Sequence, residues 1–260
     1  VRACYVGLDL MLPALDALIE EGVRIDRIFT CPVDNVYEFN TEIISRAKKY
    51  GIPYTTDRIT ETDVISLRDS GCDFLICGAY YYKIPVVEDM PMINIHPSLL
   101  PDGRGSWPMP VTILKEYRKS GVTFHKIEDS FDTGDIILQR EFDVSPREDL
   151  ESFTEKFQML LPGMTRELVN GFDELLSGAI PQGEGEYWRC PADEDATITE
   201  DMSGEECDRI LRAFFGFECF YEAKGKRLKI VRGRYSKERS EMCIPACGGY
   251  ICADEICEDR

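Results

Sequence analysis

Phe74-Leu75-Ile76-Cys77 is an unbroken apolar run between Asp73 and Gly78, and it reads as a buried strand. Met92-Ile93-Asn94-Ile95 is another strand, and residues 2–7 form a third that ends at Gly7. Helical spacing fills the gaps: Pro13 to Glu21 carries Ala14, Leu15, Leu18 and Ile19 and stops at Gly22. A strand at 25–31 follows, then helices over Thr41 to Tyr50 and Thr62 to Ser70, which stop at Gly51 and Gly71. Strand-helix-strand alternation predicts an α/β fold, a Rossmann-like and mostly parallel sheet with helices on both faces.

Further along, a helix is expected over Pro110 to Lys119 and strands over Val122–Ile127 and Ile136–Phe142. A long amphipathic helical stretch from Asp149 to Leu176 carries Phe153, Phe157, Leu160, Met164, Leu168, Phe172 and Leu175, with Pro162 expected to kink or divide it. Composition then turns to Gly, Pro and acid. This places a first domain at 1–180, an acidic linker at 181–200 and a small β-rich domain at 201–260. Ser203-Gly204-Glu205-Glu206 is a capping box for a short helix. Strands are expected at 217–223, 227–231, 241–246 and 249–256, with turns at Lys224-Gly225 and Gly248-Gly249.

No apolar run reaches the roughly 18 residues of a membrane span, and residues 1–6 read as a strand rather than a leader, so a cytoplasmic location is expected. Eleven cysteines include a late group at Cys243, Cys247, Cys252 and Cys257 whose spacing fits no zinc pattern. They are expected to pack as thiols, and no metal is expected. A net charge of −18 argues against nonspecific grip on nucleic acid. A local exception is the run Lys224 to Arg239, which holds eight basic residues.

Only two histidines occur, His96 and His125, and both sit in one block. Asn94 and His96, at i and i+2 on a strand end, point the same way, and Pro97 stops the strand. A turn at Gly134 brings Asp132 within reach of the same pocket. Carboxamide, imidazole and carboxylate are the parts that acyl transfer to an amine needs: a donor for the developing oxyanion, a group titrating near neutrality, and a carboxylate to hold it.

The string Asn94-Ile95-His96-Pro97-Ser98-Leu99-Leu100-Pro101, with Arg104-Gly105, Gly121 to His125 and Asp132-Thr133-Gly134-Asp135, resembles the signature of folate-dependent formyltransferases. The resemblance implies transfer of a formyl group from 10-formyltetrahydrofolate to an amine. It implies a catalytic set of Asn94, His96 and Asp132, and an OB-like character for the β-rich tail. Asn94 donates to the formyl oxygen, His96 stabilises that oxygen and shares in proton transfer, and Asp132 holds the imidazole and a water. His125 supports Asp132. The folate pocket implied lies along Tyr80, Tyr81, Tyr82 and Lys83 on one side and Ile127, Glu128 and Asp129 on the other. Leu8, Asp9, Ser98 and Arg104 are expected at or behind the acceptor.

The acceptor is argued from differences. The turn Gly7-Leu8-Asp9 has one glycine and an acid, a poor phosphate cradle for the purine-pathway relatives. Methionyl-tRNA enzymes of this type carry a basic insertion after the second strand. Here residues 32–40 hold no Lys or Arg. A small acceptor, such as a nucleotide-linked amino sugar, is therefore the first expectation, methionyl-tRNA the second and hydrolysis of the folate a third. The hydrolases of the family carry an additional N-terminal regulatory domain. Trp107 and Trp188-Arg189 are offered as stacking or core residues.

Overall fold

In the computed structural model, which describes residues 1–240 and 242–258, the run at 74–77 is the buried heart of a seven-stranded sheet. Its strands are β1 (Arg2–Gly7), β2 (Arg24–Phe29), β3 (Tyr54–Thr55), β4 (Phe74–Gly78), β5 (Met92–His96), β6 (Lys119–Lys126) and β7 (Ile136–Asp143). They lie in the order β3-β2-β1-β4-β5-β6-β7. The first five pair in parallel, and β6 runs antiparallel to β5. All five residues of β4 are buried, as strands covered on both faces must be. The order reverses between β1 and β4, and at such a switch point ligands collect beyond the carboxyl ends of the strands. There Gly7 abuts Gly78 so closely that a Cβ on Gly7 would stand 2.0 Å from the Gly78 carbonyl oxygen.

The helices are α1 (Leu12–Glu20), α2 (Thr41–Tyr50), α3 (Glu61–Asp69), α4 (Pro108–Leu114), α5 (Leu150–Asn170), α6 (Phe172–Ser177) and α7 (Gly204–Ala213). Thr60 and Asp63 make a reciprocal capping box on α3, and Ser203 and Glu206 make one on α7. Three expectations are corrected. The helix expected at 110–119 ends at Leu114, because Glu116 turns left-handed (φ 56°) and Lys119 already belongs to β6. Helix α5 runs unbroken through Pro162, which sits on a half-exposed face, and the break comes at Gly171. Its buried stripe uses Leu161 where Leu160 was expected.

The β-rich tail consists of β8 (Thr197–Thr199), β9 (Glu218–Ala223), β10 (Lys226–Val231), β11 (Arg234–Ser236), β12 (Cys243–Ala246), β13 (Gly249–Cys252) and β14 (Glu255–Glu258). These form a four-stranded sheet, β14-β10-β9-β8, and a three-stranded sheet, β11-β13-β12. Lys224 and Gly225 both take positive φ, as a two-residue hairpin turn requires. The second turn is Cys247-Gly248, one residue earlier than expected. Residue 241, the first of the strand expected at 241–246, lies outside the described residues. Cys243 and Cys252 face each other in register and are joined by a disulfide, which corrects the expectation of thiols there.

The chain divides into two compact units, each assembled from separate stretches. One is Val1–Arg104, Gly121–Phe142 and Lys156–Glu186; the other is Gly105–Ser120, Asp143–Glu155 and Tyr187–Arg260. Residues 105–120 and 143–155 thus group with the C-terminal elements, and residues 181–186 group with the sheet. Among the described residues no helix is long and apolar enough to cross a membrane.

Candidate active site

The antiparallel junction of β5 and β6 builds the site. Asn94 pairs in register with His125, and His96 with Thr123, so both histidines and the amide arrive from two adjacent strands. Asn94 Nδ2 lies 3.1 Å from His125 Nε2. His125 Nδ1 lies 2.8 Å from the Lys126 carbonyl oxygen. A carbonyl only accepts, so Nδ1 carries the proton, and in the neutral ring Nε2 is left as acceptor for the Asn94 amide.

Asp132 completes the group from the loop between β6 and β7. Its Oδ1 is 3.3 Å from Asn94 Nδ2, 3.6 Å from His96 Nδ1 and 3.5 Å from His125 Nε2. Its backbone is left-handed at φ 57°, a conformation Asp tolerates better than most residues. Two positions downstream a Cβ on Gly134 would stand 2.0 Å from the Lys126 carbonyl oxygen, so only glycine lets the loop pass β6. Gln182 locks this loop by donating from Nε2 to the carbonyls of Asp132 (3.0 Å) and Gly134 (2.6 Å). Its Oε1 accepts from Arg104 Nε and Nη2 at 3.1 and 2.9 Å. Arg104 thereby braces the Asp132 loop through Gln182, a residue that gives no signal in a Gly/Pro-rich stretch.

His96 is buried, 4% exposed, and its Nε2 lies 2.7 Å from the Gly103 carbonyl oxygen. Nε2 therefore carries a proton, and Nδ1 is the atom that takes up or gives back the second one, facing Asp132. Burial holds the His96 pKa below the ordinary imidazole value, against the opposing pull of Asp132 and the Gly103 carbonyl. The neutral ring, with a lone pair at Nδ1, is the resting form. Asn94 and Asp132 are the partly exposed members of the group, so the amide and the carboxylate are the parts within reach of a ligand.

The loops that follow β4 and β6 approach each other. Residues 79–83 follow β4 outside any strand, and Lys83 Nζ meets Asp129 Oδ1 at 3.7 Å across the gap. Tyr80 accepts at its hydroxyl from the Ile59 amide (3.0 Å) and stacks edge-on with Tyr82. Tyr81 is half exposed and donates to Glu38. Ile127 packs partly buried against the core, while Glu128 and Asp129 are exposed.

Other expected residues are placed elsewhere. Leu8 is 1% exposed and belongs to the core. Both Asp9 carboxylate oxygens accept from the first turn of α2, at the amides of Glu42 and Ile43 (2.9 Å each), which makes Asp9 a helix cap. Ser98 is buried, with its hydroxyl on the Asp102 carbonyl. Trp107, partly exposed, packs on Phe214 and Phe217, and Trp188 is buried against Tyr117 as a core residue. Five of the eight members of the basic run form ion pairs: Lys226 with Glu258, Arg227 with Asp193, Lys229 with Glu218, Arg232 with Glu151 and Arg234 with Asp149. Among the described residues no group of His, Cys, Asp and Glu is arranged to hold a metal.

Residues 38–164 match the family model described as formyl transferase. A methionyl-tRNA formyltransferase of Ehrlichia ruminantium (strain Gardel) is 32% identical over 203 residues, covering 75% of this chain and 65% of the relative's length. The chain thus spans just under two thirds of that relative. HypX from Aquifex aeolicus, solved in complex with tetrahydrofolic acid, superposes with a TM-score of 0.73 at 17% identity over 100% of this chain and 44% of its own. A sugar N-formyltransferase from a Shewanella species gives a TM-score of 0.70 at 18% identity, covering 93% of this chain and 99% of that one. Sequence and fold agree: residues 38–164 are similar to the formyl transferase family, and the chain has the fold of solved formyltransferases.

Proposed function

We propose that the chain is a folate-dependent N-formyltransferase that moves the formyl group of 10-formyltetrahydrofolate to the amine of a small acceptor, with a nucleotide-linked amino sugar as first candidate. The observation that carries the reaction is the convergence of Asn94 Nδ2, His96 Nδ1 and His125 Nε2 on one oxygen of Asp132. The donor set fits the cofactor: a partly exposed amide that can meet a carbonyl oxygen, and a loop at 79–83 whose backbone lies outside the ladder. Tyr80, Tyr82, Lys83 and Ile127 would hold it. When bound, it supplies an activated one-carbon group.

The residues divide the work. Asn94 turns one amide N–H from its resting partners toward the charge that develops on the formyl oxygen. His96 takes a proton from the amine at Nδ1, where Asp132 Oδ1 stabilises the resulting imidazolium, and returns it to the departing nitrogen. His125 keeps the Asn94 amide nitrogen turned inward, and Gln182 fixes the Asp132 backbone. Burial keeps His96 neutral until the amine arrives.

Two features favour a small acceptor: residues 32–40 hold no basic side chain, and five members of the later basic run are spent on ion pairs. The second reading, methionyl-tRNA, draws on the 32% identical relative. Incubation with 10-formyltetrahydrofolate alone and with each acceptor class, following folate release, separates the readings. Fast release in water alone would sink the transferase. Formylation of charged initiator tRNA at a rate rivalling the best amino sugar would overturn the acceptor.

A further inference from the structure

A cavity of about 230 Å³ lies in the sheet-bearing unit, lined by Arg2, Arg24, Asp26, Arg27, Phe29, Asp63, Ser66, Leu67 and Ser70. It runs along β2 and the start of β1 beneath α3. Asn94 and His96 stand on β5, three strand spacings away from β2, roughly 14 Å across the sheet. No part of the mechanism above uses it.

Its chemistry follows from a β-bulge. Ala3 pairs with Ile25 but Cys4 pairs with Arg27, so Asp26 is the extra residue of β2. The bulge re-aims the strand and lets Arg24, Asp26 and Arg27 line one cavity. The acids are largely committed, although Asp26 Oδ2, 2.9 Å from Arg2 Nη2, accepts no hydrogen bond. Asp26 Oδ1 accepts from Arg2 Nε (3.1 Å) and lies 3.3 Å from Arg24 Nε. Asp63 Oδ2 is held by the Thr60 amide at 2.9 Å and by the Thr60 hydroxyl at 2.6 Å, as the α3 cap. Arg27 reaches Asp63 only at 3.7 Å, stacks over Phe29 at 4.9 Å, and has a buried Nε–H that finds no protein acceptor among the described residues.

Three guanidiniums against two carboxylates leave a local excess of positive charge inside a protein of net charge −18. A buried donor without an acceptor is a cost that a bound oxyanion relieves. Arginine forks suit phosphate oxygens, and Ser66 and Ser70 add hydroxyls. Phe29 and Leu67 supply an apolar wall. The volume exceeds the roughly 150 Å³ that holds a benzene ring, so there is room for a small organic body beside the anion. We infer that this cavity is a second ligand site, separate from the formyl-transfer centre, that binds a small phosphate monoester.

The test is calorimetric titration of the full chain with inorganic phosphate, glycerol 3-phosphate, acetate and glycerol. Glycerol 3-phosphate is expected to bind with one-to-one stoichiometry and more tightly than acetate. Arg24→Gln and Arg27→Gln should each weaken it by roughly tenfold or more, since each removes a charged fork. Ser66→Trp, on the outer helix, should abolish binding by filling the cavity, and its melting curve reports whether it is folded. His96→Ala should leave the affinity unchanged. No heat with either phosphate probe, equal binding of acetate, retention in Ser66→Trp or loss in His96→Ala would each overturn the proposal. The last would assign the phosphate to the formyl-transfer centre instead.

Discussion

Asn94 and His125 are direct register partners across β5 and β6, and the amide nitrogen of one lies 3.1 Å from the ring nitrogen of the other. Because His125 is anchored at Nδ1 by its own strand, it fixes which end of the Asn94 amide faces inward. Asn94→Ala should lower kcat by about a hundred- to a thousandfold, the usual loss for an oxyanion donor. His125→Ala should lower kcat by a smaller factor, with little change in KM for the folate. Steady-state kinetics with folate release as readout checks both. A His125→Ala loss equal to that of Asn94→Ala would make His125 a direct participant.

Protonation of His96 sets the pH dependence. Burial depresses its pKa in the fold, and the proposed mechanism uses the neutral ring. The kcat/KM profile is therefore expected to be flat near neutrality and to fall on an acid limb lying below the ordinary histidine value of about 6.5. Stability follows the same sign. The unfolded chain binds the proton more readily, so the contribution is complete above about pH 6.5 and is lost as pH falls through the folded value. Melts of wild type and His96→Asn across this range isolate the term; a difference that grows on acidification would contradict it.

Gln182 holds the Asp132 loop and Arg104 together without touching the reacting atoms. Gln182→Ala is expected to lower kcat by about tenfold, the scale of a misplaced catalytic group, while leaving folding intact. Gln182→Glu should be worse, because it sets a carboxylate against two carbonyls. Unchanged kcat in both variants would remove Gln182 from its positioning role.

The Cys243–Cys252 bridge closes a short loop between neighbouring strands of the three-stranded sheet. Cys243→Ser is expected to destabilise the β-rich unit by about 2 kcal/mol, the scale for short disulfide loops. Denaturant melts with and without reductant read this directly, and identical curves would show the bridge to be thermodynamically idle.

Much of this was legible because strand and helix periods are local. The apolar run at 74–77 and the boundaries of α2 follow from side-chain pattern and a glycine stop. Three points depended on distance. Asp9 looked like a loop acid facing ligand, yet it caps a helix more than 30 residues downstream. Gln182 sits 50 residues from the loop it holds. The basic run is a local exception to the net charge in the sequence, and its partners, Glu151 and Asp149 among them, come from far along the chain. Pairings of this kind leave no trace in a window of sequence. The Asn94–His96–Asp132 set was readable from a motif, while its tautomers needed the carbonyls of Gly103 and Lys126.

The interleaving of the two units bears on how the protein is made. The chain passes from one unit to the other after residues 104, 120, 142, 155 and 186. During synthesis residues 105–120 and 143–155 emerge before the elements after Tyr187 with which they group. A clone cut after residue 180 would separate both stretches from the elements after Tyr187 and remove Gln182 from the Asp132 loop. Neither unit of this chain is one continuous stretch of sequence.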